Sequence, residues 1–213
     1  MKTTDIRRDY TGVSLSRKDL NDDPQKQFED WLQTAIDAEV LDPTAMSLAT
    51  VDEHNHPSVR IVLLKQINAD GIGFFTDLRS PKSVALAHNP NAAALFYWPQ
   101  LSRQVRIEGT VSRLQHSQEV DYFASRPRDS QLAASASDQS QVIGNRDELL
   151  RKLSDMQEKY AGGEVAKPEQ WGGYHLTPLS YEFWQGQPGR LHDRFQYVRK
   201  SVDETWAIRR LQP

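Results

Sequence analysis

The chain has 213 residues, a length that suits one large domain with a hydrophobic core and leaves little room for a second. Hydrophobic residues make up 38% of the chain and charged residues 26%, which excludes an intrinsically disordered protein. The formal net charge is -3 at pH 7, so a site for an anion has to be built locally. The absence of cysteine excludes disulfides and thiolate metal sites.

No metal site, membrane span or secretory signal is predicted. The six histidines form no HExxH string and no cluster at metal-ligand spacing. No run of about 18 apolar residues occurs, and the N-terminus lacks the apolar stretch of a secretory signal. We therefore predict a cytoplasmic protein with a polar, basic N-terminal arm over residues 1–22 and a single domain over residues 23–213.

The first predicted element is an amphipathic helix. Asp23 and Pro24 have the residue types of an N-cap and a first helical position. Apolar residues then recur at i, i+3, i+4, i+7 and i+8, which is the spacing of one buried helix face. These residues are Phe28, Trp31, Leu32, Ala35 and Ile36.

A strand-rich stretch follows this helix. Residues 45–51 and 58–65 are predicted strands separated by a DEHNHP turn, and an NADG turn precedes a third strand at residues 72–76. A short helix is predicted over residues 80–89. Residues 92–98 are apolar enough for a buried strand. The next strand alternates apolar with polar residues and places on one face Val105, Ile107, Gly109 and Val111.

The rest of the chain is predicted to form helices and then strands again. One helix is expected over residues 116–126, and a second, closed by Gly162-Gly163, carries Leu149, Leu150, Leu153, Met156 and Tyr160. Terminal strands are predicted at residues 181–185, 195–199 and 206–211. Hairpins without βαβ alternation or a glycine-rich phosphate loop predict an antiparallel α+β domain, arranged as a barrel.

Residues 60–65 (RIVLLK) place four aliphatic residues between two cations. In a regular strand, Arg60 and Lys65 point to opposite faces. One interpretation is a buried strand whose charged ends reach solvent. The other is that the two cations serve different anions, or that a bulge re-aims one of them.

Residues 122–130 (YFASRPRDS) combine a phenol, a guanidinium and a hydroxyl. Tyr122 and Arg126 are spaced i, i+4 on a predicted helix that stops at Pro127, and Asp129 or Ser130 is a candidate cap for the next helix. Such residues beside a new helix start suit a phosphate cradle. The alternative is a solvated helix end with its caps.

Residues 182–194 (EFWQGQPGRLHDR) place three basic side chains at alternate positions. On an extended chain Arg190, His192 and Arg194 share one face, which is costly to bury without an anion or an acidic partner. Trp184 offers a flat apolar surface. Glu182 and Asp193 are the acidic residues that would satisfy these cations if the role of the segment is structural.

These strings, with three others, resemble the pyridoxine/pyridoxamine 5'-phosphate oxidase family. The motifs occur in order: RRDY at residues 7–10, DPTAM at 42–46, RIVLLK at 60–65, FFT at 74–76, SRPRDSQ at 125–131, EFWQG at 182–186 and RLHDR at 190–194. The most specific are SRPRDSQ and the EFWQG–RLHDR pair. The resemblance implies a split β-barrel homodimer with non-covalent FMN at the subunit interface, and oxidation of pyridoxamine or pyridoxine 5'-phosphate by O2 to pyridoxal 5'-phosphate with release of hydrogen peroxide.

The resemblance also implies the residues of the site. The implied FMN contacts are Arg60, Ile61, Val62, Leu63, Leu64, Lys65, Phe75, Thr76, Lys82, Gln104, Gln139, Ser140, Trp184 and Arg194. The implied substrate contacts are Arg7, Arg8, Asp9, Tyr10, Lys65, Tyr122, Arg126, Ser130, Arg190, Leu191 and His192. The candidate catalytic residues are Arg190, His192 and Asp42.

One position departs from the family pattern. Pro81 stands where family members often carry a second cation for the FMN phosphate, and Arg79 is close enough in sequence to compensate. Pro81 also suits a helix N-terminus, whose amides bind phosphate directly.

Three other functions compete with the oxidase. They are a different flavin split-barrel enzyme, a non-catalytic binder of FMN or pyridoxal 5'-phosphate, and a nucleic-acid binder. SRPRDSQ and RLHDR argue against the first because both belong to the substrate half of the family site. The negative net charge argues against nucleic acid.

Overall fold

Nine antiparallel strands form one sheet in the computed structural model, which describes residues 5, 9–10 and 12–213. The strands are β1 (Ala45–Val51), β2 (Pro57–Leu63), β3 (Gln66–Asn68), β4 (Gly71–Asp77), β5 (Asn91–Trp98), β6 (Arg103–Arg113), β7 (Trp171–Gln185), β8 (Asp193–Val198) and β9 (Ala207–Leu211). The helices are α1 (Pro24–Asp37), α2 (Pro81–His88), α3 (His116–Ser125), α4 (Arg128–Ala136) and α5 (Arg146–Lys159). Short 3-10 turns lie at Arg17–Asp19, Pro99–Leu101 and Pro188–Arg190.

The sheet has the order β2-β1-β5-β6-β7-β4-β3, and β8 and β9 extend it beside β7. The long strand β7 pairs with β4 along its first half and with β8 along its second, while β6 runs beside both halves. Beyond β2, the amide of Leu64 donates to Thr44 O (2.9 Å) and the amide of Lys65 donates to Gly73 O (2.9 Å). These bonds bring the β2 end of the sheet to β4, and the predicted antiparallel split β-barrel with flanking helices is confirmed.

Helix α1 forms as its sequence predicts. The Asp23 carboxylate accepts from the amide of Gln25 (2.9 Å), and the apolar face of the helix is buried at Phe28, Trp31, Leu32 and Ala35. Ile36 was expected on this face but is 44% exposed. Successive helical residues turn by about 100°, so Ile36 lies at the edge of the apolar stripe rather than within it.

The interpretation of residues 58–65 as a buried strand is wrong for the single chain. Strand β2 ends at Leu63 and lies at the edge of the sheet, with β1 as its neighbour. Its aliphatic side chains are exposed, by 67% at Val59, 64% at Ile61 and 43% at Leu63. The side chains of an edge strand are buried only where other elements pack on its faces. The local sequence does not show which elements do so.

Two other elements differ from the prediction. Strand β7 begins at Trp171 rather than near residue 181, and its first half includes the apolar and aromatic residues Trp171, Tyr174 and Leu176. Helix α4 begins at Arg128, so Asp129 and Ser130 lie within its first turn instead of capping it. Glycines and polar residues interrupt the apolar pattern of this strand, so the local sequence indicates its start only weakly. The strands that pair with it come from distant segments of the chain.

The barrel interior holds the main hydrophobic core, and a smaller cluster lies under the helical segment. The smaller cluster consists of Phe123, Leu132, Val165 and Trp171, with partly buried residues of α5 packed against it. Leu15 and Leu20, within the predicted arm, belong to the main core. In the part of the chain that the structure describes, no helix is long and apolar enough to cross a membrane.

Candidate active site

A cavity of about 720 Å³ opens beside β2, β4 and the α3–α4 connection. Its described lining residues include four cations, Arg60, Lys65, Lys82 and Arg126, and no aspartate or glutamate. Four cations without a carboxylate are costly to gather unless an anion binds among them. The lining residues that the structure describes are Arg60, Ile61, Val62, Leu63, Lys65, Phe75, Thr76, Lys82, Tyr122, Ser125, Arg126, Pro127, Ser130, Gln139, Ser140 and Trp171.

The first set of polar residues in this cavity, here called the Lys82 group, consists of Arg60, Thr76, Lys82, Gln139 and Ser140. Lys82 lies in the first turn of α2 and is 8% exposed. Its ammonium donates to Thr76 Oγ1 (2.9 Å), Ser80 Oγ (3.1 Å) and Gln139 Oε1 (2.9 Å). All three acceptors are neutral. Burial and then the nearby charge of Arg60 lower the pKa of Lys82.

Arg60 is held in place by backbone and hydroxyl oxygens. Its guanidinium donates to Leu48 O (2.9 Å), Thr50 Oγ1 (2.9 Å) and Ser58 Oγ (2.6 Å), and burial lowers its pKa. Arg60 and Lys65 line the same cavity, so the expectation that they face opposite sides is wrong. The reason is that the regular strand stops at Leu63, and alternation no longer governs the direction of Lys65.

The second set, here called the Arg126 group, consists of Tyr122, Arg126 and Ser130. Arg126 is the C-cap of α3 and has an extended backbone, so it is no longer on the helix that carries Tyr122. Its Nη1 is buried and has no hydrogen-bond partner among the described residues. Burial lowers the pKa of Arg126 and raises that of the Tyr122 phenol. An orphaned buried guanidinium nitrogen fits a bound anionic oxygen.

An aromatic wall connects the two groups. The rings of Phe75 and Tyr122 stack with centroids 4.1 Å apart, and Phe75 and Trp171 stack at 5.0 Å. The guanidinium of Arg126 lies 5.1 Å from the Trp171 ring centroid. Trp171 was missed as a site residue, as were Ser125 and Pro127. The latter two lie inside the SRPRDSQ string, whereas the only local signal for Trp171 is the glycine pair that follows it.

A separate cluster contains Tyr10, Trp184 and His192. The ring centroids of Trp184 and His192 are 4.6 Å apart, and Tyr10 contacts both edge-on at 5.3 and 5.2 Å. The amide of Gln187 donates to His192 Nδ1 (3.0 Å). Burial, Arg190 and Arg194 lower the pKa of His192, so its ring is neutral at pH 7. None of these three residues lines the 720 Å³ cavity of the same chain.

The three basic residues of the RLHDR string do not share one extended face. Arg190 belongs to a 3-10 turn and has a positive φ of 62°, and β8 begins only at Asp193. Arg194 donates to Glu182 (2.8 Å) and to Gln212 O (2.8 Å). Glu182 therefore supplies the acidic partner that the structural interpretation required. Arg190 and the 74% exposed Leu191 project into solvent.

The described part of the N-terminal arm packs against this cluster. Leu15 N donates to Asp193 Oδ2 (2.9 Å), and the Gln187 amide side chain donates to Val13 O (2.9 Å). A Cβ on Gly186 would lie 2.6 Å from Tyr10, so only glycine permits this close approach. Asp9 is exposed, and Arg7 and Arg8 lie outside the described residues.

The remaining predicted site residues do not line the cavity. Asp42 is exposed with a φ of 49°, Leu64 is buried in the main core, and Gln104 pairs in register with Trp184. Arg79, the proposed substitute for the missing cation at Pro81, is engaged with Asp77 and Asp138 outside the cavity lining. Among the described residues, no group of three or more histidines and carboxylates could hold a metal ion.

Comparison with known proteins identifies the family. The model described as pyridoxamine 5'-phosphate oxidase matches residues 32–160, and the one described as the pyridoxine 5'-phosphate oxidase C-terminal dimerisation region matches residues 171–213. A protein from Hahella chejuensis named pyridoxine/pyridoxamine 5'-phosphate oxidase is 50% identical over 214 residues, and the alignment covers 100% of both chains.

Solved structures share the fold. PhzG from Burkholderia lata, in complex with tetrahydrophenazine-1-carboxylic acid, has a TM-score of 0.89 and 28% identity, covering 97% of this chain and 100% of that one. A pyridoxamine 5'-phosphate oxidase-related, FMN binding protein from Nostoc punctiforme has a TM-score of 0.71 at 17% identity, covering 94% and 100%, and shows the fold alone. From the two family matches and the full-length relative, the chain belongs to the pyridoxamine 5'-phosphate oxidase family.

Proposed function

We propose that this chain is an FMN-dependent oxidase that converts pyridoxamine or pyridoxine 5'-phosphate into pyridoxal 5'-phosphate, with O2 as the electron acceptor. The observation that carries the proposal is a single cavity with two cationic groups and no acidic lining among its described residues. FMN and the substrate are both phosphomonoesters, and each needs its own cationic pocket. The name of the Hahella chejuensis relative supports the same substrate class.

The Lys82 group suits the phosphate of FMN. Lys82 and Arg60 are fixed by neutral oxygens, so their charges remain available to an anion. The aliphatic side chains of Ile61, Val62 and Leu63 line the cavity next to them and offer an apolar surface for a flat ring system. FMN, when bound, supplies the acceptor for the hydride equivalent removed from the substrate carbon.

The Arg126 group suits the phosphate of the substrate. Arg126 presents an unpartnered guanidinium nitrogen, and the raised pKa of Tyr122 keeps its phenol protonated as a donor. Ser130 adds a hydroxyl at the start of α4. Binding the phosphate away from the reacting carbon fixes the approach of that carbon, which lowers the entropy cost of reaction.

We propose that a second copy of the chain completes the site. Trp184, Arg190, His192 and Arg194 fall within the region matched by the dimerisation model, and they do not line the cavity of their own chain. Strand β2, which borders the cavity, exposes Val59, Ile61 and Leu63. A homodimer would cover these apolar side chains and bring the second cluster of one subunit to the cavity of the other.

His192 would orient the substrate rather than take its proton. Because Nδ1 accepts from the Gln187 amide, the neutral ring carries its proton on Nε2. The Nε2–H can donate to the amine nitrogen or the hydroxyl oxygen at the reacting carbon, and Arg190 would provide a second donor beside it. Nε2 already carries a proton, so it could act as a base only after the ring proton moved to Nδ1 and the Gln187 bond was lost, which argues against a role as general base.

A different substrate is the main alternative. PhzG from Burkholderia lata binds a tricyclic carboxylic acid on a closely similar fold. Against this alternative stands the Arg126 group, which provides a guanidinium, a phenol and a hydroxyl suited to a phosphate. A non-catalytic binder of FMN or pyridoxal 5'-phosphate would use the same two groups, and a measurement of turnover distinguishes it from the oxidase.

The cytoplasmic location and the division into an arm over residues 1–22 and one domain over residues 23–213 stay predictions.

An absorbance experiment tests the proposal. The purified protein, loaded with FMN, is mixed with pyridoxamine 5'-phosphate without oxygen and then in air. We expect bleaching of the flavin without oxygen, and aldehyde, ammonia and hydrogen peroxide in air. If FMN binds but its absorbance does not change with the substrate, the cofactor assignment stands and the proposed reaction is wrong. A protein that cannot be loaded with FMN would contradict both assignments.

A further inference from the structure

Helix α3 carries Tyr122 and ends at Ser125, directly before Arg126, and one buried carboxylate attaches this helix to the sheet. Glu119 is 2% exposed and lies one turn before Tyr122. Its Oε1 accepts from the amide of Gly173 in β7 (3.0 Å) and from Arg113 at the end of β6 (2.7 Å). Its Oε2 lies 3.5 Å from the ammonium of Lys167.

Lys167 extends this attachment to the aromatic wall. Its side chain is 6% exposed, and its ammonium donates to the carbonyl oxygens of Trp171 (2.7 Å) and Pro168 (3.2 Å). Trp171 in turn contacts the guanidinium of Arg126 and the rings of Phe75 and Phe123. Glu119 therefore lies on the helix that carries Tyr122 and precedes Arg126, and Lys167 links Glu119 to Trp171, whose indole ring lies beside the Arg126 guanidinium.

The backbone opposite Glu119 is shaped to admit the carboxylate. A Cβ on Gly172 would lie 2.6 Å from Glu119 Oε1, and a Cβ on Gly173 would lie 2.5 Å from Leu114. Gly172 therefore lets α3 approach β7 closely, and Gly173 makes room for Leu114, which precedes α3. Burial opposes ionisation of Glu119, but the Gly173 amide and Arg113 hold the pKa of Glu119 below its usual range. The carboxylate is charged, accepts two hydrogen bonds and forms an ion pair with Lys167.

We propose that Glu119 is a positioning residue for the substrate-phosphate pocket, acting through α3 on Tyr122 and Arg126. This inference rests on the proposed function of the Arg126 group. An amide at position 119 would present its NH2 to Arg113 or Lys167, both donors, and would leave the buried ammonium of Lys167 without its counter-charge. Helix α3 would then shift, and the Arg126 group would lose its alignment with a bound phosphate. The Lys82 group, on β2, β4, α2 and the segment after α4, would keep its contacts.

The test compares Glu119→Gln with Asp121→Asn. Both replace a carboxylate by an amide on α3, but Asp121 is exposed. For Glu119→Gln we expect the KM for pyridoxamine 5'-phosphate to rise about tenfold, with kcat and the FMN dissociation constant within about twofold of the parent protein. Asp121→Asn should match the parent in all three quantities. An unchanged KM, or an equal loss of FMN affinity, would overturn the proposal.

A double-mutant cycle separates positioning from general loosening. If Glu119 acts through the Arg126 group, Glu119→Gln should change the KM much less in an Arg126→Lys background than in the parent. Additive effects would overturn the proposal. Should Glu119→Gln fail to fold, Lys167→Met leaves the Glu119 bonds to Gly173 and Arg113 intact and should raise the KM in the same direction. An unchanged KM in that variant would likewise count against the proposal.

A readout without turnover keeps this inference distinct from the oxidase assignment. In the FMN-loaded protein, inorganic phosphate is titrated and followed by 31P NMR. We expect weaker phosphate binding in Glu119→Gln than in Asp121→Asn. A parent protein that binds phosphate but does not oxidise pyridoxamine 5'-phosphate would contradict the proposed function alone. Equal phosphate affinities in the two variants would contradict the positioning role alone.

Discussion

The ring of Phe75 lies against the ring of Tyr122, with centroids 4.1 Å apart and an angle of 18° between the planes. Phe75 is next to Thr76, a hydrogen-bond partner of Lys82, and Tyr122 belongs to the Arg126 group. This stack therefore joins the Lys82 group and the Arg126 group through side chains of β4 and α3. A ligand held at one group is placed against the same wall as a ligand held at the other, which is the arrangement a cofactor and its substrate require.

Arg126 should be sensitive to a substitution that keeps its charge. Arg126→Lys removes the planar guanidinium that lies over Trp171 and the nitrogen that lacks a partner, and we expect the KM for pyridoxamine 5'-phosphate to rise about tenfold or more. The FMN content should stay unchanged. Arg128→Lys is the matched control, since Arg128 is exposed, donates to Gly163 O and Tyr160 O, and does not line the cavity. Equal KM values for the two variants would contradict the assignment.

Lys82 should govern the affinity for FMN. Lys82→Met removes the ammonium held by Thr76, Ser80 and Gln139, and we expect the FMN dissociation constant to rise about tenfold or more, measured by flavin fluorescence. Lys152→Met is the control because Lys152 is an exposed cation paired with Asp138 outside the cavity. If the FMN dissociation constants of Lys82→Met and Lys152→Met are equal, Lys82 does not bind the FMN phosphate.

The same residue predicts a pH dependence of FMN binding. The pKa of Lys82 is lowered in the free protein, so its ammonium loses its proton at a lower pH than an ordinary lysine. Because only the ammonium attracts the phosphate, FMN affinity should fall as the pH rises through that pKa. Lys82→Arg, which stays charged, should lack this alkaline decline. Parallel pH profiles for the parent and Lys82→Arg would show that another group is responsible.

Arg190 should influence both turnover and the ionisation of His192. Burial, Arg190 and Arg194 lower the pKa of His192, so removing the charge in Arg190→Ala should raise that pKa toward its ordinary value. NMR titration of the His192 ring measures this shift. Arg190→Ala should also reduce kcat strongly while FMN stays bound, because one substrate donor is lost. Unchanged steady-state kinetics would contradict the catalytic role of Arg190.

Two inactive variants should complement each other if the site is shared between subunits. In a mixed dimer of Arg126→Ala and Arg190→Ala chains, one site carries both defects and the other carries neither. Random mixing makes half of the dimers mixed, so about a quarter of the parental activity should return. Differently tagged chains allow the mixed dimer to be purified and assayed. If it is as inactive as its parents, each site is built from a single chain.

Several local features of this fold were predictable from sequence because they depend on residues close together in the chain. Helix α1 follows from Asp23, Pro24 and the apolar spacing up to Ala35, and strand β1 has the bounds predicted for it. The NADG turn precedes β4 as predicted, although the strand on its other side, β3, was not predicted. Arg126 of the SRPRDSQ string and Arg60 of the RIVLLK string both line the cavity, and their roles in binding stay predictions.

Only the tertiary structure decided which residues share the cavity. Gln139 joins Lys82 across 57 residues, and Trp171 reaches Arg126 from the start of a strand whose beginning was not predicted. The exposure of Ile61 and the common orientation of Arg60 and Lys65 depend on where β2 ends and on what lies beside it. Spacing along a chain determines direction only within one regular element. Contacts between elements arise from packing of the whole chain, which the local pattern does not contain.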